Sequence, residues 1–159
     1  RKLVERLPEG YASRLSDGRR YGEALLDPTT LYVPVTEALF AAGIVPHYSA
    51  NITGHGWRKI MRHPGNFTYR IHTLPDVPPV LAFMQQHAGI DDREAYGSLN
   101  MGAGFAFYVA ADQAEEVARI ANDLGVKAWV AGRVETGPKQ VVIEPLNLTY
   151  AADELHLRA

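Results

Sequence analysis

The chain has 159 residues, 47% hydrophobic and 21% charged, which suits one globular domain with a real core and argues against disorder or a fibre. Lys plus Arg is 16 and Asp plus Glu is 18, so a formal net charge of -2 gives no bulk electrostatic case for a nucleic-acid or anionic-membrane partner. Cysteine is absent, which excludes disulfides, thiolate zinc sites, iron–sulfur ligation and a cysteine nucleophile, and is compatible with a reducing cytoplasm.

The first twenty residues carry charge throughout and no apolar h-region, so they are no signal peptide. They lack an initiator Met, and the expectation is a processed start or a piece of something longer. Residues 1–21 read as irregular, with one helical turn near Lys2–Leu7. Pro28 biases Asp27 away from helical geometry, so residues 25–29 are a helix end or turn. Leu31-Tyr32-Val33 is a short strand or a helix entry. Thr36 near an N-cap and Gly43 past the end predict a short helix between them.

Residues 44–52 are mixed, and residues 57–62 read as a short amphipathic helix. Phe67–Ile71 alternates and is rich in β-formers, so it is a strand. Pro78-Pro79 opens a helix that Gly89 closes. Residues 91–100 are ambiguous. The apolar run 104–109 marks a strand covered on both faces. Residues 112–124 form the clearest helix, with Ala114, Val117, Ala118, Ala121 and Leu124 on one face and Gly125 after it. Residues 127–134 and 140–143 are strands joined through a Thr-Gly-Pro turn. The last ten residues are a final strand or a frayed tail. Interleaved helices and strands predict an α/β or α+β sandwich on a mixed sheet, in one domain. No run of 18 apolar residues exists, so no transmembrane helix is expected.

Glycine is the abundant special residue, at 14, and two groups sit at element boundaries. The first is Thr53-Gly54-His55-Gly56, between a strand-like stretch and a helix. Glycines let backbone approach a ligand, the following helix N-terminus favours an anion, and Arg58, Lys59 and Arg62 add positive charge. Two readings stay open: a phosphate-binding loop, or a tight strand-to-helix turn with no ligand. The second is Asn100-Met101-Gly102-Ala103-Gly104. Glycines at a strand start mark a bulge or a close packing contact, and that reading leads on the residues alone. Asn100 either caps a turn or binds substrate.

The six histidines are dispersed without ligand spacing, so no zinc or other metal site is expected. His55 alone lies inside a glycine loop, as a phosphate donor, a proton carrier or a solvated residue. Asp91-Asp92 and Glu115-Glu116 read as solvated charges, and Glu94 as a surface carboxylate with a ligand or base role as the alternative. Ser49 and Ser98 have no His–Asp partners for a hydrolase triad. Trp57 and Phe83 read as core or interface anchors.

Three ordered blocks, Leu25–Val33, Ile52–Gly56 and Glu94–Gly104, together resemble the C-terminal domain of the phosphoribosylformylglycinamidine cyclo-ligase, or aminoimidazole ribonucleotide (AIR) synthase, family. The resemblance covers roughly residues 22–145. Family Leu-Leu-x-Pro-Thr-x-Ile-Tyr-Val is matched with Leu31 for Ile. His-x-Thr-Gly-Gly-Gly becomes Asn51-Ile52-Thr53-Gly54-His55-Gly56, with the first His and the middle Gly changed. The Asn-Ile-Pro-Arg that follows looks like Lys59-Ile60-Met61-Arg62, one residue closer to the glycines. The third block keeps Glu94, Tyr96, Asn100, Gly102 and Gly104, while Ala95, Ser98 and Leu99 depart from the pattern.

The resemblance implies an α+β fold, a three-layer α/β/α sandwich on a mixed, partly ferredoxin-like sheet. It implies that 22–159 is the AIR synthase-like C-terminal domain and 1–21 the remainder of a lost or truncated region. It implies a two-domain cytoplasmic enzyme, a homodimer at full length, whose N-terminal domain binds most of the ATP and Mg2+. ATP would activate the amide oxygen of formylglycinamidine ribonucleotide for imidazole ring closure in purine biosynthesis. Thr53, Gly54, His55 and Gly56 would contact a small phosphorylated substrate, with Asn100, Gly102 and Gly104 shaping the cleft. No catalytic acid or base is assigned. The alternatives are a non-catalytic or differently specific paralogue binding a phosphorylated metabolite, or another superfamily member such as selenide water dikinase or thiamine-monophosphate kinase.

Overall fold

The structure, a computed structural model, describes residues 3–155. Lys2 and the tail from His156 lie outside the described residues, together with the expectations placed on them. The fold is α+β, as expected, but its strands divide into two sheets. The helices are α1 (Tyr21–Ala24), α2 (Val33–Ala41), α3 (Pro79–Ala88), α4 (Asp92–Ser98) and α5 (Ala114–Asp123). The strands are β1 (Tyr48–Asn51), β2 (Phe67–Ile71), β3 (Phe105–Tyr108), β4 (Gly132–Thr136), β5 (Gln140–Ile143) and β6 (Leu148–Ala151).

A mixed four-stranded sheet has the order β4-β2-β5-β6, with β2 and β5 parallel and the other pairs antiparallel. Strands β1 and β3 form a separate antiparallel ladder, in which Tyr48 faces Tyr108 and Asn51 faces Phe105. The ladder divides two cores. Ala106 and Tyr108 pack on the main cluster, around Trp57, Met61, Tyr69, Val141 and Ile143. Phe107 and Val109 pack on the cluster that α2 and α5 build from Val35, Leu39, Ile44, Val117, Ile120 and Ala121. That two-sided packing is why the run from Phe105 carries no polar alternation. In α5, Ile120 is buried where the sequence pattern placed Leu124, which is 47% exposed.

Local chemistry explains the helix ends. Pro79 opens α3, and Gly89 closes it in the left-handed region at φ 68. Helix α2 starts three residues before Thr36, with Pro34 in its first turn, and the Thr36 hydroxyl donates to the Tyr32 carbonyl at 3.2 Å. Asp91 caps α4 by accepting from Glu94 N–H at 2.8 Å, so this aspartate is a cap rather than a solvated charge. Residues 127–131 were expected to extend β4, but they do not. The Asn122 side chain takes both the N–H and the carbonyl of Ala128, so those groups are not left for a ladder.

The first twenty residues hold two 3-10 turns, Val4–Arg6 and Gly10–Ala12, and an isolated bridge between Arg14 and Arg20. They are nonetheless anchored, because Leu7 and Leu15 are buried with Tyr21 and Phe83.

The segment expected as an amphipathic helix at 57–62 is a 3-10 helix, Gly56–Met61, wedged between α4 and the sheet. Gly56 has φ 53, and a Cβ built on it would lie 2.1 Å from the Tyr96 carbonyl oxygen. Only glycine meets both conditions. Trp57, 1% exposed, then packs edge-on to Tyr96 at 5.2 Å, and its Nε1 donates to the Asn100 carbonyl at 2.8 Å. Arg58 Nε donates to Gly97 O at 2.9 Å, and Tyr108 Oη donates to Ile60 O at 2.6 Å. From the other side, Tyr150 of β6 donates to Arg93 O in α4 at 2.6 Å, and burial pushes its phenol up to about 12.

On the sheet surface Arg70 of β2 faces Arg133 of β4, a like-charge pairing that is unfavourable alone. Glu135 bridges the two guanidiniums, and Glu144 accepts from His72 and Arg70 at 3.0 and 3.1 Å. Arg133 and Arg70 hold the Glu135 carboxyl below its ordinary value, and His72 and Arg70 do the same for Glu144.

Gly56→Ala is expected to cost about 3 kcal/mol, the combined size of a steric clash and a forced left-handed residue, read as a lower denaturation midpoint. The depressed carboxylates contribute stability above the ordinary value of 4.5 and lose it as pH falls through their folded values. Stability is therefore expected to hold steady from neutral pH down to that region and to drop below it. Arg70→Gln should make the acid limb shallower in denaturant melts recorded against pH, and an unchanged limb would dismiss the bridge as a contributor.

Candidate functional site

The two glycine groups meet at one end of the β1–β3 ladder. Thr53–Gly56 leaves β1 just past Asn51, and Asn100–Gly104 enters β3 just before Phe105, the partner of Asn51. Ile52 N–H donates to Gly104 O at 2.9 Å, which closes the junction. The third block reaches the same place. A Cβ built on Gly104 would lie 2.0 Å from the Tyr32 phenol oxygen, and the Tyr32 ring sits 5.0 Å from that of Phe105. Burial pushes the Tyr32 phenol up.

Each expected residue has a distinct setting. Thr53 and Gly54 are exposed, His55 is half-buried and Gly56 is buried. A Cβ on Gly54 would meet nothing within 4 Å. Gly56 N–H returns to the Thr53 carbonyl at 2.6 Å, so this amide is engaged. The N–H groups of Thr53, Gly54 and His55 have no acceptor among the described residues. The following helix is a six-residue 3-10 segment, so the expected macrodipole of a long helix N-terminus is not there. The donors are the loop's own amides.

The His55 carbonyl accepts from Arg58 Nε at 3.3 Å, and its imidazole makes no hydrogen bond among the described residues. Lys59, half-buried, reaches back across the loop, and its Nζ donates to Thr53 Oγ1. Asn100 is half-buried; its Oδ1 accepts from Gly102 N–H at 3.2 Å, the capping role. Gly102 has φ 99, and a Cβ there would lie 2.8 Å from the Asp76 carbonyl oxygen. Gly102 and Gly104 are thus packing positions that fix the turn. Tyr32 and Lys59 are the members that the glycine pattern did not single out. Tyr32 lay in the first block and Lys59 among the flanking charges, but neither had a spacing signal that tied it to the loop.

Glu94 lies elsewhere, in an open cleft of about 360 Å³ whose wall also holds Arg58, Arg93, Ser98, Tyr150 and Glu154. The cationic side chains there are engaged. Arg93 pairs with Glu154 at 2.6 Å and sits 5.1 Å over the Tyr150 ring, and Arg58 Nη1 donates to Glu154 O at 2.8 Å. Among the described residues no group of three or more His, Asp or Glu is arranged to hold a metal ion. Among them, too, no helix is long and apolar enough to cross a membrane.

Residues 7–144 match the family described as AIR synthase related protein, C-terminal domain. The chain is 36% identical over 124 residues to a phosphoribosylformylglycinamidine cyclo-ligase of Methanococcus vannielii, covering 77% of this chain and 35% of that protein. It is 38% identical over 122 residues to the protein of the same name in Methanocaldococcus jannaschii, covering 76% and 35%. The chain thus spans about a third of the length of these curated relatives. Among solved structures it is similar in fold to HypE of E. coli, a hydrogenase maturation protein, with a TM-score of 0.54, 18% identity, and coverage of 92% of this chain and 49% of that one. With the three blocks meeting at one junction and the match running over most of its length, the chain belongs to the AIR synthase related family, as its C-terminal domain.

Proposed function

We propose that the chain is the C-terminal portion of an ATP-dependent phosphoribosylformylglycinamidine cyclo-ligase that closes the imidazole ring of AIR in purine biosynthesis, in the cytoplasm. The observation that carries this reading is the meeting of all three motif blocks at the end of the β1–β3 ladder, in a chain 36% identical to cyclo-ligases over 124 residues. ATP with Mg2+ supplies the phosphoryl group that activates the amide oxygen of formylglycinamidine ribonucleotide. The residues of this chain hold and orient. Thr53, Gly54 and His55 present N–H donors to phosphate oxygens, a fit that rests on their lack of other acceptors among the described residues. Gly56, Gly102 and Gly104 keep the loop and turn in register, and Asn100 fixes the turn through Gly102. In this reading an N-terminal domain binds most of the ATP and Mg2+, the full-length protein is a homodimer, and the 159-residue chain alone is inactive.

A second reading has one observation in its favour. His55 stands where the family pattern has glycine, with its imidazole unpaired among the described residues, which narrows the approach to the loop. That favours a differently specific paralogue binding another phosphorylated metabolite.

The deciding experiment measures ADP release by the full-length protein with ATP, Mg2+ and formylglycinamidine ribonucleotide. Turnover that depends on all three is expected, and release no higher than background refutes the cyclo-ligase assignment. For the loop, Gly54→Val points into open space and should leave the fold intact. It is expected to weaken phosphate binding about tenfold, the size of one lost charge-assisted hydrogen bond. Calorimetric titration with inorganic phosphate reads this, and equal affinity would remove the loop from the site.

A further inference from the structure

We propose that the open edge of β4 is a pairing surface for a second copy of this chain, the two β4 strands running antiparallel about a two-fold axis at Val134. The contact depends neither on the phosphate reading of the loop nor on any residue outside this chain.

The sheet β4-β2-β5-β6 has two edges, and they differ. At β6 the edge is covered by side chains. Arg93 Nη1 donates to the Thr149 carbonyl at 3.0 Å, and Ala151 N–H donates to Glu154 Oε1 at 2.9 Å. At β4 the ladder with β2 alternates. His72 N–H donates to the Ala131 carbonyl at 2.9 Å, so the register makes Arg70–Arg133 and Thr68–Glu135 the hydrogen-bonded pairs. Gly132, Val134 and Thr136 therefore turn their backbone groups to the open side. Among the described residues no further strand pairs with β4 there. A bare edge of this kind is a template for another strand.

Side chains identify that strand. Val134, Tyr69, Val141 and Tyr150 stand in one row across the sheet, on its core face. Tyr69, Val141 and Tyr150 are 3%, 0% and 2% exposed, whereas Val134, at the open end, is 47% exposed. Arg133 and Glu135, of opposite sign, share the other face of β4. A two-fold axis at Val134 sets this residue against its own copy and prolongs the apolar row. The same axis sets each Arg133 against Glu135 of the second copy, in non-hydrogen-bonded positions where side chains come closest. It joins the outward groups of Gly132 to those of Thr136. Moving the axis to Gly132 sets Arg133 against Ala131, and moving it to Thr136 sets Arg133 against Lys139. Both shifts lose the charge pairs, so the strand complements itself in one register.

The test follows the whole chain by sedimentation equilibrium from about 10 μM to about 1 mM, with amide hydrogen exchange read by NMR. A monomer–dimer equilibrium is expected, with the Val134 amide protected in the dimer and exchanging freely in the monomer. Val134→Lys sets two ammonium groups on the axis, and Arg133→Glu sets carboxylates against Glu135. Each is expected to weaken dimerisation at least about tenfold. Both positions are exposed, and Arg133→Glu faces Arg70, so thermal melts should show both variants folded. Mixing Arg133→Glu with Glu135→Arg restores opposite charges between unlike chains, and the mixture is expected to dimerise where each variant alone does not. If Glu135→Arg fails to fold, Val134→Lys and Arg133→Glu still decide. A chain that stays monomeric throughout, or a dimer unmoved by Val134→Lys and Arg133→Glu, overturns the proposal.

Discussion

The contact on which the rest depends is the one between Gly56 and the C-terminal backbone of α4. No side chain fits there, since a Cβ would lie 2.1 Å from the Tyr96 oxygen and 2.7 Å from both the Gly97 carbonyl carbon and the Ser98 nitrogen. That closeness sets the depth of the 3-10 helix. Depth in turn decides that Trp57 reaches the Asn100 carbonyl and that Arg58 reaches Gly97. A seven-residue helix such as α4 gains little from its own hydrogen bonds. It is held instead by Gly56 and Arg58 on one side and by Tyr150 on the other. The second glycine group follows directly after α4, so its place relative to the first is a consequence of this packing.

The β1–β3 ladder needs similar support. Two strands of four residues are marginal alone. Tyr108 joins this ladder to the main core by its hydrogen bond to Ile60 and by ring contacts at 5.6 Å to both Tyr48 and Tyr69. Desolvation raises the Tyr108 phenol far above its ordinary value, so the hydroxyl stays protonated and remains a donor. The opposite face of β3 rests on α2 and α5. The candidate site thus lies at the open end of a small ladder clamped between two cores, a rigid place from which an exposed loop can project.

The readable parts of the sequence were those where a local rule and the tertiary structure agree. Pro79 and Gly89 bounded α3, Phe67–Ile71 was a strand, and Trp57 was an anchor. Expectations failed where a distant group overrode local preference. The Asn122 side chain captured Ala128 and shortened β4, and the Gly56 contact tightened a helical segment into 3-10 geometry. The Asp91 cap depended on a backbone amide three residues on, in a stretch whose periodicity was mute. For the site, the glycine groups were visible as loops. Their meeting was not, because it depends on the pairing of Asn51 with Phe105 across more than fifty residues. The family resemblance supplied that long-range link by grouping the blocks. It gave no reason for Tyr32, which the structure explains as the group filling the space above Gly104.

Thr-Gly-His-Gly posed a choice between a ligand loop and a tight turn, and the geometry assigns the turn to one of its two glycines. Gly56 is buried with positive φ and no room for a side chain, so it serves the turn. Gly54 is exposed, has open space where its side chain would be, and carries an amide with no acceptor among the described residues. Packing therefore demands glycine at Gly56 but makes no such demand at Gly54. What an absent side chain does at Gly54 is leave the backbone amides open to approach from outside. The two glycines therefore separate folding from approach: a side chain at Gly56 would collide with α4, whereas one at Gly54 would enter open space and change only what can reach the loop.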